Sequence, residues 1–157
     1  MSILKVDTIN EKTSCNGVAI PGHVVQVVHG STNTEVSGDT TTYTDTTLSA
    51  SITPTATSSK ILIRVNQHYR FDRYGFSLRV LRDSTAIQEP ANKFSLYSAD
   101  ANDDLRGYYT YEILDSPSST SAITYKTQYA SNVSSGANIS LQGNSFYSYL
   151  TLMEIAQ

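Results

Sequence analysis

Three histidines (His23, His29 and His68), one cysteine (Cys15) and a short acidic run (Asp100, Asn102, Asp103 and Asp104) are the residues of this chain with the most potential for chemistry. The imidazoles and the thiol are too scattered in sequence for a zinc site. A single cysteine also forms no intrachain disulfide, and its simplest role is a small residue in an extended segment. The acidic run supplies hard oxygen ligands of the kind calcium takes. It lacks the glycine and the distal glutamate of an EF-hand loop, so a solvated acidic loop is the simpler expectation and calcium binding stays open. No nucleophile with its base, carboxylate pair or phosphate loop stands at a recognisable spacing, and the chain is expected to work without catalysis and without a cofactor. His68 is expected on the polar face of a strand, in a surface or hydrogen-bonding role.

Aromatic rings are the other candidates for contact. The chain has 11 tyrosines and 4 phenylalanines and no tryptophan. A tyrosine ring brings apolar area at low entropic cost and can stack on a sugar or anchor a protein contact. Tyr69, Tyr74, Tyr97 and Arg106, in or beside the turn at 69–74 and the long polar stretch 90–106, are the expected host-contact residues. Tyr108, Tyr147 and Tyr149 are expected at a subunit contact, with Ile3, Val6 and Ile9 of the N-terminal segment. Core packing is the competing role for each ring. Charged residues are only 16% of the 157, and the net charge is −3. There is no basic field for phosphates, so nucleic acid is not an expected partner. No apolar run is long enough to cross a bilayer, and no signal peptide is evident, so synthesis in the cytoplasm without membrane insertion is expected.

The elements that would carry these residues are strands. Along residues 58–71, Ile61, Ile63, Val65, Tyr69 and Phe71 alternate with Arg64, Asn66, His68 and Arg70, the two-residue period of a strand with one buried and one wet face. Residues 23–29 are apolar except Gln26, which predicts a core strand covered on both faces. Residues 30–42 read as a loop. Further strands are expected at 44–52, 76–82 with a hairpin partner at 86–88, 105–114, 122–129 and 146–155. The last is apolar on both faces, which places it centrally or at a subunit contact. About eight strands with no defensible helix predict an all-β antiparallel β-sandwich or jelly roll. Residues 1–21 read as an extended arm and 22–157 as the head. The arm docks either on a neighbour or on its own sheet edge. Large side chains on both faces of 108–114 and 146–155 predict an obligate homotrimer, because one small sandwich does not easily cover both.

Three pieces occur together in order: residues 2–9 with 17–28, residues 43–54 running into 58–63, and Asp115-Ser116-Pro117 with 122–126. This arrangement resembles a group of short virion structural proteins of tailed bacteriophages, many from aquatic hosts including cyanobacteria, commonly labelled tail-fibre or virion structural proteins. Its motifs are strand and turn patterns without chemistry, and residues 74–104 match none of them. The resemblance implies a trimeric β-sandwich head displayed on a virus particle, assembled in the host cytoplasm. Implied partners are further copies of the chain, other virion proteins through the arm, and a host glycan or surface protein. A capsid decoration protein is the alternative, and a glycan depolymerase a third possibility that the short chain disfavours.

Overall fold

The computed structural model describes residues 20–99, 104–134 and 136–157. The expectations placed on Ile3, Val6 and Ile9, on Cys15 and on Asp100, Asn102 and Asp103 lie outside these residues.

The described chain is a sandwich of two antiparallel sheets. In order it forms β1 (Val24–Thr32), β2 (Val36–Gly38), β3 (Thr44–Ile52), β4 (Lys60–Phe71), β5 (Tyr74–Arg82), β6 (Thr85–Gln88), β7 (Leu96–Ser98), β8 (Leu105–Asp115), β9 (Ile123–Ser131), β10 (Ile139–Leu141) and β11 (Ser148–Ile155). Single 3₁₀ turns sit at Ala91–Lys93 and Gly143–Ser145. The strand count exceeds the expected eight because β2, β7 and β10 are three-residue pieces, too short to leave a periodic signal. In the first sheet β4 lies between β8 on one side and β11 and β10 on the other, with β1 beyond β11 and β2 beyond β10. The second sheet runs β3, β9, β5, with β6 and β7 sharing the far side of β5.

Alternation dictates the core. From β4, Ile61, Ile63, Val65 and Phe71 point inward and are fully buried, meeting Phe76, Leu78 and Val80 of β5 and Tyr125 and Tyr129 of β9. β11 adds Leu150 and Leu152 from the same side. At about 25 cal/mol per Å² of apolar surface, this layer is the main stabilising term. One inward position of β4 is polar. Gln67, fully buried, donates to Ser148 Oγ at 2.8 Å and accepts from Thr127 Oγ1 at 3.2 Å, so one hydrogen-bonded chain crosses the core from β11 to β9. Thr46 of β3 continues it through Thr127, and Gln142 joins at Ser148. Gln67, Thr127, Thr46, Ser148 and Gln142 thus satisfy one another.

Two expectations are corrected. The segment 23–29 is not a strand covered on both faces: β1 lies at a sheet edge, and Val27 on its outer face is 57% exposed. An apolar run gives no signal of edge position, since that depends on which strands pair. Residues 30–42 are only partly loop, because β1 continues to Thr32 and Val36–Gly38 pairs with β10. The last strand does lie centrally, between β1 and β4.

Where β1 of one sheet crosses β3 of the other, Gly30 allows contact. A Cβ there would sit 2.4 Å from the carbonyl oxygen of Ser49. Gly30→Ala must push the sheets apart at that edge, and a loss of about 1–3 kcal/mol is expected, seen as a lower urea midpoint with unchanged slope.

Candidate functional site

The outer face of the first sheet carries the two surface features that set this chain apart. Register places Val27 beside Met153, Met153 beside Leu62, and Leu62 beside Leu114, all on the solvent side. An apolar row thus crosses four strands, with Val27 and Leu114 more than half exposed. Val24, also exposed, extends it at the β1 end, where it pairs with Ile155. Farther along the same face the rings gather. Tyr147 stacks on Tyr149 (6.1 Å between centroids), and Tyr149 on His29 (5.6 Å). The three tyrosines expected at a subunit contact, Tyr108, Tyr147 and Tyr149, are all solvent-exposed on this side.

The second feature is a cleft at the far end of β4, where the Gly143–Ser145 turn meets β8. It encloses about 280 Å³ and is lined by Glu35, His68, Arg70, Arg106, Asn144 and Phe146, with Ser140 and Gly143. The even positions of β4 send His68 and Arg70 to this face, and register sets Tyr108 and Arg106 of β8 beside them. Phe146 lies flat on His68 (4.6 Å, 11° between planes), and Tyr108 meets the same imidazole edge-on at 5.4 Å. Covered on two sides, His68 is only 5% exposed, and its Nδ1 is buried without a partner among the described residues. Burial and then the Arg106 charge push its pKa below the ordinary histidine value, which favours the neutral ring.

Arg70 and Arg106 converge on one carboxylate. Arg106 Nε donates to Asp104 Oδ1 at 3.0 Å, with a second bond from its Nη2 to Oδ2, and Arg70 Nε donates to Asp104 Oδ1 at 2.8 Å. The bonds from Arg106 and then Arg70 pull the Asp104 pKa down to about 2. Across the cleft Glu35 accepts from Ser140 Oγ at 2.7 Å. Gly143 leaves the floor open: a Cβ there would lie 2.6 Å from Ser140 Oγ and 3.4 Å from Glu35 Oε1. The turn beside it is strained, with Gln142, Asn144 and Ser145 all left-handed at φ 56°, 57° and 62°. Such non-glycine conformations persist only where the surroundings over-determine them, and they concentrate at functional sites.

Of the expected host-contact residues, only Arg106 enters the cleft. Tyr69 is not a surface loop residue. It occupies an inward position of β4, packed against Phe71 (5.8 Å) and Phe76 (5.3 Å), as the alternation along residues 58–71 requires. Tyr74 opens β5 under the Arg73 guanidinium, and Tyr97 lies exposed on β7 against Phe94, both on the second sheet. Sequence reading missed Glu35, hidden in a polar run, and Phe146 and Asn144, hidden at the entry to a strand. Left-handed backbone at an Asn-Ser pair leaves little trace in residue types.

Among the described residues no His, Cys, Asp and Glu cluster that could hold a metal occurs, and no helix is long and apolar enough to cross a membrane. No model of a known protein family matches the chain, and no curated protein sequence is similar to it.

Proposed function

We propose that the chain is a structural module of a tailed-phage particle, a fibre or adhesin head that assembles as a homotrimer, sits in the virion through its N-terminal arm and contacts the host surface. It acts by binding and not by catalysis. The observation that carries this reading is the apolar row Val27, Met153, Leu62 and Leu114, running uninterrupted across four strands on the outer face of the first sheet. Soluble monomers seldom leave such a stripe to water, and a contact between copies would cover it. The strand order supports a jelly-roll winding. β1, β11, β4 and β8 face β3, β9, β5 and β6, so the chain alternates between sheets as a doubly wound Greek key does.

Capsid decoration is the second reading. It is favoured by the same row, which would equally seat the head on a lattice of other virion proteins. Light scattering decides the assembly state: the expected mass is three times that of the 17.2 kDa chain. A folded, stable monomer would remove the trimer from the proposal.

A further inference from the structure

We infer that the cleft between the Gly143–Ser145 turn and β8 is a binding site for one ring of a neutral saccharide. This rests on the attachment reading only for the biological source of the sugar, since the cleft belongs to a single chain.

The ligand class follows from three properties of the lining. A flat apolar platform comes first. Phe146 is half exposed, one face lies on His68, and the other is free to take the C–H face of a sugar. Behind it His68 is buried and held by Tyr108, so the platform is fixed before any ligand arrives.

Hydrogen-bonding groups for hydroxyls come second. Beyond their bonds to Asp104, Arg70 and Arg106 keep further N–H donors, and with the carboxylate of Glu35 and the amide of Asn144 they form a set of donors and acceptors that a polyol satisfies. The His68 Nδ1 is a buried polar atom without a partner among the described residues, the kind of exception that native structures leave to a ligand or an ordered water.

Charge balance comes third and excludes anionic ligands. Both arginines are already engaged by Asp104, and Glu35 adds a second carboxylate, so two cations face two anions. A phosphate or an acidic sugar would have to displace Asp104 and approach Glu35, which like-charge repulsion opposes. A neutral ring needs neither.

Size agrees. About 280 Å³ lies at the small end of ligand pockets, enough for one ring. A shallower groove of about 600 Å³ continues from it past Glu35, Arg70 and Ser140 to Asp39, Asp72 and Asn138. There the Oδ1 of Asp72 is also buried without a partner among the described residues, so two of the three such atoms, His68 Nδ1 and Asp72 Oδ1, belong to residues that line the cleft and the groove. The groove gives adjoining sugar units somewhere to run.

The test is an amide and arginine side-chain NMR titration of the full chain. The probes are the methyl glycosides of glucose, galactose and mannose, the trisaccharide of N-acetylglucosamine, sialic acid and inorganic phosphate. At least one neutral saccharide is expected to shift the signals of residues 143–146 and the Nε–H groups of Arg70 and Arg106, saturating in the millimolar range. Phe146→Ala is expected to weaken that binding by about fivefold to tenfold, a ring contact's worth. Arg106→Lys, which keeps the charge and loses the fork, is expected to weaken it comparably. Amide dispersion of each variant reports whether it is folded, and the lysine variant carries the test if the alanine variant is not. Absence of shifts at the cleft with every neutral probe overturns the inference, as does binding that both variants leave unchanged. Preferential binding of sialic acid or phosphate overturns the neutral class. The mass of the same samples is measured in parallel, so a monomer that binds sugar and a trimer that does not are told apart.

Discussion

Leu62→Glu combined with Leu114→Glu is expected to leave the chain folded and to convert the proposed assembly to monomer. The two residues are direct cross-strand partners at the β8 end of the apolar row, both on the solvent side of their strands. In a lone chain the new carboxylates face water, and their mutual repulsion across the pair costs at most about 1 kcal/mol. In an assembly that covers this face, every copy would bury two carboxylates with no counter-charge. The penalty is several kcal/mol per ion, far more than a modest interface can absorb. Light scattering should therefore report the mass of one chain, while circular dichroism and the melting temperature stay close to those of the parent. A variant that stays fully assembled would show that copies meet through another surface.

Glu154→Ala is expected to be strongly destabilising. Glu154 is fully buried on the inward side of β11, near the end of the sandwich. Its Oε1 accepts from Thr55 N and Thr55 Oγ1, each at 2.7 Å, and its Oε2 accepts from Gln26 Nε2 at 2.6 Å. This carboxylate ties the strand-connecting segment after β3 and the β1 edge to the central strand. Truncation leaves the Thr55 N–H and O–H without this acceptor and Gln26 Nε2 with only Thr53 O, and a loss on the order of 3 kcal/mol is expected in urea unfolding. Burial by itself would raise the pKa. Bonds from Ser59, Gln26 and Thr55 together outweigh it and hold the pKa below the ordinary glutamate value. The sign follows: the folded chain binds the proton less readily than the unfolded one. The contribution is therefore complete above the unfolded value of about 4.3 and is lost as pH falls through the lower folded value. The parent should lose stability over that acidic window, and the alanine variant should lose less across it. Equal pH slopes would show that other carboxylates control acid unfolding.

The amino-acid pattern by itself determined the strands and their faces. Ile61 to Phe71 alternate with polar residues, and alternation is a property of neighbours along one chain, so the buried side of β4 was legible without knowing what covers it. The same holds for Leu48, Ala50 and Ile52 on β3, and the apolar density of residues 146–155 pointed to a central strand. Tertiary structure decided everything that depends on strand order. Val24 to Val28 looked fit for the interior, yet pairing placed them at an edge with Val27 in water. Alternation along residues 58–71 gives Tyr69 an inward position and its neighbours in sequence give it a contact role, and packing on Phe76 decides for the core. Gln67 and Glu154 are buried because partners from β9, from β1 and from the segment after β3 reach them over sequence separations of 60, 128 and 99 residues. The cleft joins Glu35, His68, Arg106 and Phe146. No local period records such a meeting, because it is set by register between strands far apart in the chain, and register is fixed only when the whole hydrophobic face is buried at once.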